Sequence, residues 1–132
     1  MTHSFKSDVF EIPKTLAAHF AEHLDGNPVH LPGNSNEILP EGTVPGLCVM
    51  ALASKALLKV PAYKEVLCAR GFEIKFKNPV FSGQHCQIEG VYNEEPHRSR
   101  PGVLLRKSSC KIFCVETKSL VIEYEITQLV RA

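Results

Sequence analysis

Apolar residues recur along the chain with two different periods, and the change from one to the other falls about halfway. In PKTLAAHFAEHL, Pro13 to Leu24, Leu16, Phe20 and Leu24 return every four residues with Ala17 and Ala21 beside them. One apolar stripe at that spacing predicts an amphipathic helix, with proline in its first turn where no N–H is needed. Asp25-Gly26 should end it, and a stretch rich in Pro, Gly and Asn follows to Pro45. GLCVMALASKALLKV, Gly46 to Val60, is apolar nearly all round, interrupted by Ser54, Lys55 and Lys59. A helix of that kind has to be wrapped by other structure, and it is too short to span a bilayer.

After Arg70 the period drops to two. GFEIKFKNPVF alternates Phe72, Ile74 and Phe76 against Glu73, Lys75 and Lys77, and HCQIEGVY alternates more loosely. NEEPHRSRPG reads as a polar, turn-rich connection. VLLRKSSCKIFCVE and LVIEYEITQLV read as two long strands joined at Thr117-Lys118-Ser119. Strands in sequence with short joins predict an antiparallel sheet. An α+β chain with one apolar helix and one such sheet is satisfied when the sheet curls around the helix. The chain, 1–132, carries no repeat or interdomain linker, so a single domain is expected.

Composition narrows the function classes. A formal charge of +1 offers neither the basic footprint of nucleic-acid binding nor a polybasic membrane contact. The opening MTHSFKSDVF lacks the apolar core of a signal peptide, so we expect a cytoplasmic protein. The five cysteines, Cys48, Cys68, Cys86, Cys110 and Cys114, form no CxxC pair and read as reduced core or strand residues. Cys110 and Cys114 sit roughly 13 Å apart along an extended chain, too far to share a metal or a disulfide.

DGNPVH, Asp25 to His30, holds the candidate chemistry. By residue type it is a turn: Pro28 fixes its own φ and pushes Asn27 out of helical space. The same bend can aim Asp25 and His30 at one point. An Asp–His pair in a partly dry cleft moves protons well, because imidazole titrates near neutral pH and a carboxylate orients it or serves as base.

Asp25, Asn27, Pro28 and His30, as D-x-N-P-x-H, resemble the signature of the MaoC-like hydratases, a family that includes (R)-specific enoyl-CoA hydratases. VPGLCVMALAS resembles the start of that family's central helix, and FEIKFKNPVFSG, Phe72 to Gly83, its PV-x-x-G segment. The resemblance covers roughly Asp25 to Gly90. It departs from the family at Pro45, where histidine is common, at Gln84, where aspartate is usual, and in the compact polar loop LPGNSNEILPEGT.

The resemblance implies a hotdog fold, a curved antiparallel sheet around a long central helix, and a homodimer joined at sheet edges. It implies reversible hydration of trans-2-enoyl thioesters, on CoA or acyl carrier protein, to (R)-3-hydroxyacyl thioesters, with no cofactor and no metal. Asp25 and His30 would activate the water, and the Gly46 N–H would hold the thioester oxygen. Ser54 would orient the dyad, and Asn27 would brace the bend. Gln84 reads as structural. Two other readings are a hotdog acyl-CoA thioesterase and a non-catalytic acyl-thioester-binding module.

Other polar clusters compete. His19, Glu22 and His23 spell H-x-x-E-H, an inverted zinc motif, but they fall opposite the apolar stripe and read as a solvated helix face. His97, Arg98, Arg100, Arg106 and Lys107 could meet CoA phosphates or line a solvent face; charge runs favour the latter.

Overall fold

The structure, a computed structural model, describes residues 2–23, 43–61 and 66–132. Among the described residues six strands and two helices follow in the order β1 (His3–Lys6), β2 (Phe10–Glu11), α1 (Lys14–His23), α2 (Gly46–Leu57), β3 (Val66–Phe76), β4 (His85–Pro96), β5 (Val103–Cys114) and β6 (Leu120–Arg131). All strand pairings are antiparallel, and the sheet runs β1-β4-β5-β6-β3 with β2 also on β4.

This is the expected helix-on-sheet architecture, with corrections. The strands β1 and β2 carry too few residues to show a period, and pairing with β4 makes them strands. β3 lies next to β6 rather than its chain neighbour β4, so the sheet closes by a crossover. Asn93 to Pro96, expected in a turn, extend β4, because β5 supplies partners for each of them. The turn itself is shorter, 97–102, with Gly102 at φ 77°.

The pleat assigns the side chains. Across β4, β5, β6 and β3 the register aligns Ile88, Ile112, Ile122 and Phe76 in one row. Ile88, Ile112 and Ile122 are fully buried and pack with Cys48, Val49 and Ala53 of α2. Cys86, Cys110 and Cys114 share this core, while Cys68 lies exposed on β3, and all five thiols are free. Burial pushes the Cys86 thiol up to about 12, helped by Cys114 opposite, so it packs as a neutral apolar group.

Neither helix matches its expected packing in full. In α1 the buried positions are Ala17 and Ala21, while Leu16 is exposed, so the stripe sits about one position away from the leucines. His19, Glu22 and His23 do lie on its exposed side. α2 ends at Leu57, and residues 58–60 form a turn. Its buried face is Cys48, Val49, Met50, Ala53 and Leu57, whereas Leu47 and Leu58 face outward. Among the described residues no helix is long and apolar enough to cross a membrane.

Candidate active site

The tip of α2 is built by the two motif segments that flank it. Val44 donates its N–H to Val80 O at 2.9 Å, and Thr43 bridges Phe81. The VPG and NPVFSG stretches are therefore one short ladder, which fixes where the helix starts. Pro45 stands at the cap with φ −55° and ψ 133°, and its carbonyl takes the N–H groups of Cys48 and Val49. Among the described residues no side chain caps this end. The first N–H groups of a helix have no acceptor within it and carry the positive end of its dipole. Gly46 supplies the first of them.

Glycine at this point has a packing reason. A Cβ on Gly46 would overlap the ring of Phe76, the last residue of β3. Phe76 therefore lies against the helix tip, and at 57% exposure it also borders solvent.

The PV-x-x-G turn is fixed by its own groups. Gly83 has φ 87°, a conformation side-chain-bearing residues rarely adopt. Its N–H donates to Ile12 O at 2.7 Å, and Ile12 N–H returns a bond to Gln84 O at 2.8 Å. Gln84 Oε1 accepts the Phe81 N–H at 2.9 Å, so Gln84 is structural as expected.

Ser54 sits on α2 eight residues beyond Gly46, about 12 Å along the axis at the helical rise. Its hydroxyl donates to Met50 O at 2.9 Å, one turn back, which leaves its lone pairs able to accept. Gly46 and Ser54 thus share one helix. Asp25, Asn27 and His30 lie outside the described residues.

The basic cluster divides. His97, Arg98 and Arg100 are in the turn and Lys107 is exposed, but Arg106 is 5% exposed. Its Nε and Nη2 donate to Glu94 Oε2 at 3.1 and 2.8 Å, and its Cζ lies 4.8 Å above the Tyr92 ring. The even-numbered positions of β5 point inward, which takes Arg106 out of the solvent face expected for it.

Sequence reading passed over three residues beside α2: Phe72, Phe76 and Gln128. The two phenylalanines were visible as strand residues, but their place under the helix follows from the β3–β6 pairing. Gln128 shares the inward phase of Tyr124 and Ile126, and a polar residue there was the available signal.

No family model matches the chain, and no curated protein matches it either. Solved structures do. A MaoC-like dehydratase from Rhodospirillum rubrum superposes with a TM-score of 0.84 at 18% identity, over 98% of this chain and 90% of that one. A monoamine oxidase regulatory protein from Archaeoglobus fulgius gives 0.80 at 15%, over 98% and 88%. An (R)-hydratase from Pseudomonas aeruginosa gives 0.63 at 19%, over 99% and 80%. The helix-on-sheet arrangement recurs in a Mycobacterium tuberculosis protein with a double hotdog fold, at a TM-score of 0.75 and 16% identity, over 98% and 42%. The chain has the hotdog fold, in the form found in MaoC-like dehydratases and (R)-hydratases.

Proposed function

We propose that the protein is a hydro-lyase that adds water reversibly to trans-2-enoyl thioesters, on CoA or acyl carrier protein, giving (R)-3-hydroxyacyl thioesters. The observation that carries this reading is the α2 tip: an uncapped helix start at Gly46, fixed by the Val44–Val80 ladder. Addition of water at C3 places negative charge on the thioester oxygen, and a helix N-terminus stabilises charge at that position. Glycine also lets a substrate approach the backbone closely.

In this mechanism Asp25 and His30 hold and deprotonate the water, and one of them returns a proton to C2. Asn27 braces their bend. Ser54 accepts a hydrogen bond from the dyad and sets its orientation. No metal or cofactor takes part; the carrier thioester itself activates the alkene. The protein acts in the cytoplasm as a homodimer joined through β3, an 11-residue edge strand with Leu67, Phe72 and Phe76 exposed.

Loss of the enoyl-thioester absorbance on adding crotonyl-CoA is the direct test. Asp25→Asn and His30→Ala should each lower the rate by about 100-fold or more. Undiminished rates in both variants would remove the dyad. Release of free thiol would identify a thioesterase, and binding without turnover a carrier module.

A further inference from the structure

All five thiols are free, and two of them meet across the sheet. Along β5, Cys110 and Cys114 are too far apart to bridge. The β4–β5 register instead sets Cys86 opposite Cys114, and both side chains are buried in the core, at 0% and 1% exposure. Among the described residues no other two cysteines face each other in the register. Cys110 faces Gly90 on one side and Tyr124 on the other, Cys68 is exposed opposite Leu129, and Cys48 lies on α2.

The surrounding hydrogen bonds fix what kind of pair this is. Val115 donates its N–H to His85 O at 2.8 Å, which makes His85 and Val115 a hydrogen-bonded rung. The Cys114 N–H turns away from β4, to Ser119 O at 2.9 Å. Two residues further along β4, the Ile88 carbonyl accepts the Ser7 N–H at 2.8 Å, and the Ile88 N–H donates to Ser7 Oγ at 3.1 Å. Both Ile88 groups thus point away from β5, as the alternation of rungs requires. Cys86 and Cys114 are therefore a non-hydrogen-bonded pair, the closer antiparallel kind, with Cα atoms about 4.5 Å apart. A disulfide joins Cα atoms about 4.4–6.8 Å apart, so the backbone already stands at a bridging distance.

We propose that Cys86 and Cys114 are a modification site, a buried dithiol that a peroxide converts reversibly into a cross-strand disulfide. The site is independent of the reaction assigned to the α2 tip. One sulfur attacks a peroxide oxygen, the O–O bond breaks, and a sulfenic acid and water form. The second sulfur then attacks the sulfenic sulfur and displaces hydroxide, which takes up the remaining thiol proton and leaves as water. Two thiols give up two electrons, and hydrogen peroxide is reduced to two waters. Cys114 attacks first: its Sγ lies 4.0 Å from Glu116 Oε1, a carboxylate placed to take the proton. Cys86 keeps its proton, because burial pushes that thiol up to about 12. The oxidant enters from the end of the ladder. The rung outside the pair joins His85 to Val115, which is 44% exposed, and the exposed His85–Glu116 ion pair closes it. A ladder end opens locally at lower cost than its centre.

The test treats the folded full chain with hydrogen peroxide, alkylates the remaining thiols in denaturant and maps the peptides by mass. The expected product is a Cys86–Cys114 crosslink, two hydrogens lighter than the reduced peptides and reopened by dithiothreitol. Cys86→Ala and Cys114→Ala should each abolish it. The bridged protein should melt about 5 °C or more above the reduced one, since the bridge restricts the unfolded chain without straining the folded one. Exposed Cys68 serves as the internal control for the oxidant. If Cys68 is oxidised while Cys86 and Cys114 still alkylate in full, the proposal is overturned. It is also overturned if Cys114 bridges Cys48 or Cys110 instead, or if the bridged protein melts below the reduced one. Should an alanine variant fail to fold, the map of the unaltered protein decides alone.

Discussion

Two rows on the inner face of the same sheet differ in almost every respect. Ile88, Ile112 and Ile122 stand side by side, fully buried, and end at Phe76. Six residues further along β4, roughly 20 Å by strand rise, the corresponding row is Glu94, Arg106, Gln128 and Ala69. Both rows point inward by the same pleat. The first packs with α2, which lies along one part of the sheet; the second contains an ion pair, a cation over a ring and an amide beside a cavity. Position on the pleat decides only whether a residue faces inward. What covers it decides whether it serves stability or chemistry.

Breaking the isoleucine row should have the largest effect. Ile112→Ala removes a fully buried side chain from a site with partners on three sides. The expected loss is about 2–5 kcal/mol, read as a lower denaturant midpoint at unchanged m. A loss below about 1 kcal/mol would show that the row is not the packed centre.

The polar row should respond less, and in a different way. Glu94→Leu leaves the Arg106 guanidinium desolvated without its carboxylate. Because the Glu94 side chain is 23% exposed, about 1–3 kcal/mol is expected, below the cost of breaking a fully buried pair. Adding Arg106→Met should recover most of it, since two apolar side chains replace the pair without an orphaned charge. If the double variant is as unstable as Glu94→Leu, the row is held by packing rather than charge.

Where the apolar row meets the α2 tip, stability and activity should separate. Gly46→Ala forces the Phe76 ring aside, but that ring is half-exposed and can rotate away. Alanine also regains about 0.5–1 kcal/mol that glycine costs in a helix. Stability should therefore change by less than about 1 kcal/mol, while crotonyl-CoA hydration falls about tenfold as the displaced ring and the new methyl crowd the thioester position. An unchanged rate would move the oxyanion site away from Gly46.

These rows also show what was legible in advance. The segments VLLRKSSCKIFCVE and LVIEYEITQLV were legible as the two strands that carry Ile112 and Ile122, and the glycine at the start of GLCVMALAS placed the α2 tip. Which strand neighbours which was not legible, because a crossover depends on three-dimensional closure rather than on local pattern. Arg106 was read as surface for that reason: its charge suggested solvent, whereas its phase along β5 and its neighbour Glu94 take it inside. Gln128 stood out only once its oxygen was found buried beside a cavity. The Asp25–His30 bend rests on residue types and family resemblance, and its positions fall outside the described residues.

The smallest effect belongs to an ion pair that neither row covers. His85 Nδ1 lies 2.9 Å from Glu116 Oε2, and both side chains are more than two-fifths exposed. The hydrogen bond to Glu116 raises the His85 pKa above 6.5, against a smaller opposing effect of desolvation. The bonds from the His85 side chain and backbone hold Glu116 below 4.5. With its pKa raised, His85 contributes stability fully below its unfolded value and loses it as pH rises through the folded one. With its pKa lowered, Glu116 contributes above its unfolded value and loses it as pH falls through the folded one. The pair is therefore complete between about pH 4.5 and 6.5 and fades on both sides. His85→Asn keeps the backbone bond to Glu116 Oε1 and removes the ion pair. Its Tm should fall slightly below that of the unaltered protein at pH 5.5, less than for any variant of the buried Arg106–Glu94 pair, and the gap should close by pH 8. High salt should shrink the gap at pH 5.5 but leave the Glu94→Leu loss largely intact, because solvent ions screen the exposed pair and reach the inner row poorly. Equal salt sensitivity in the two would mean that the inner face is as wet as the outer one, and the contrast between the rows would fail.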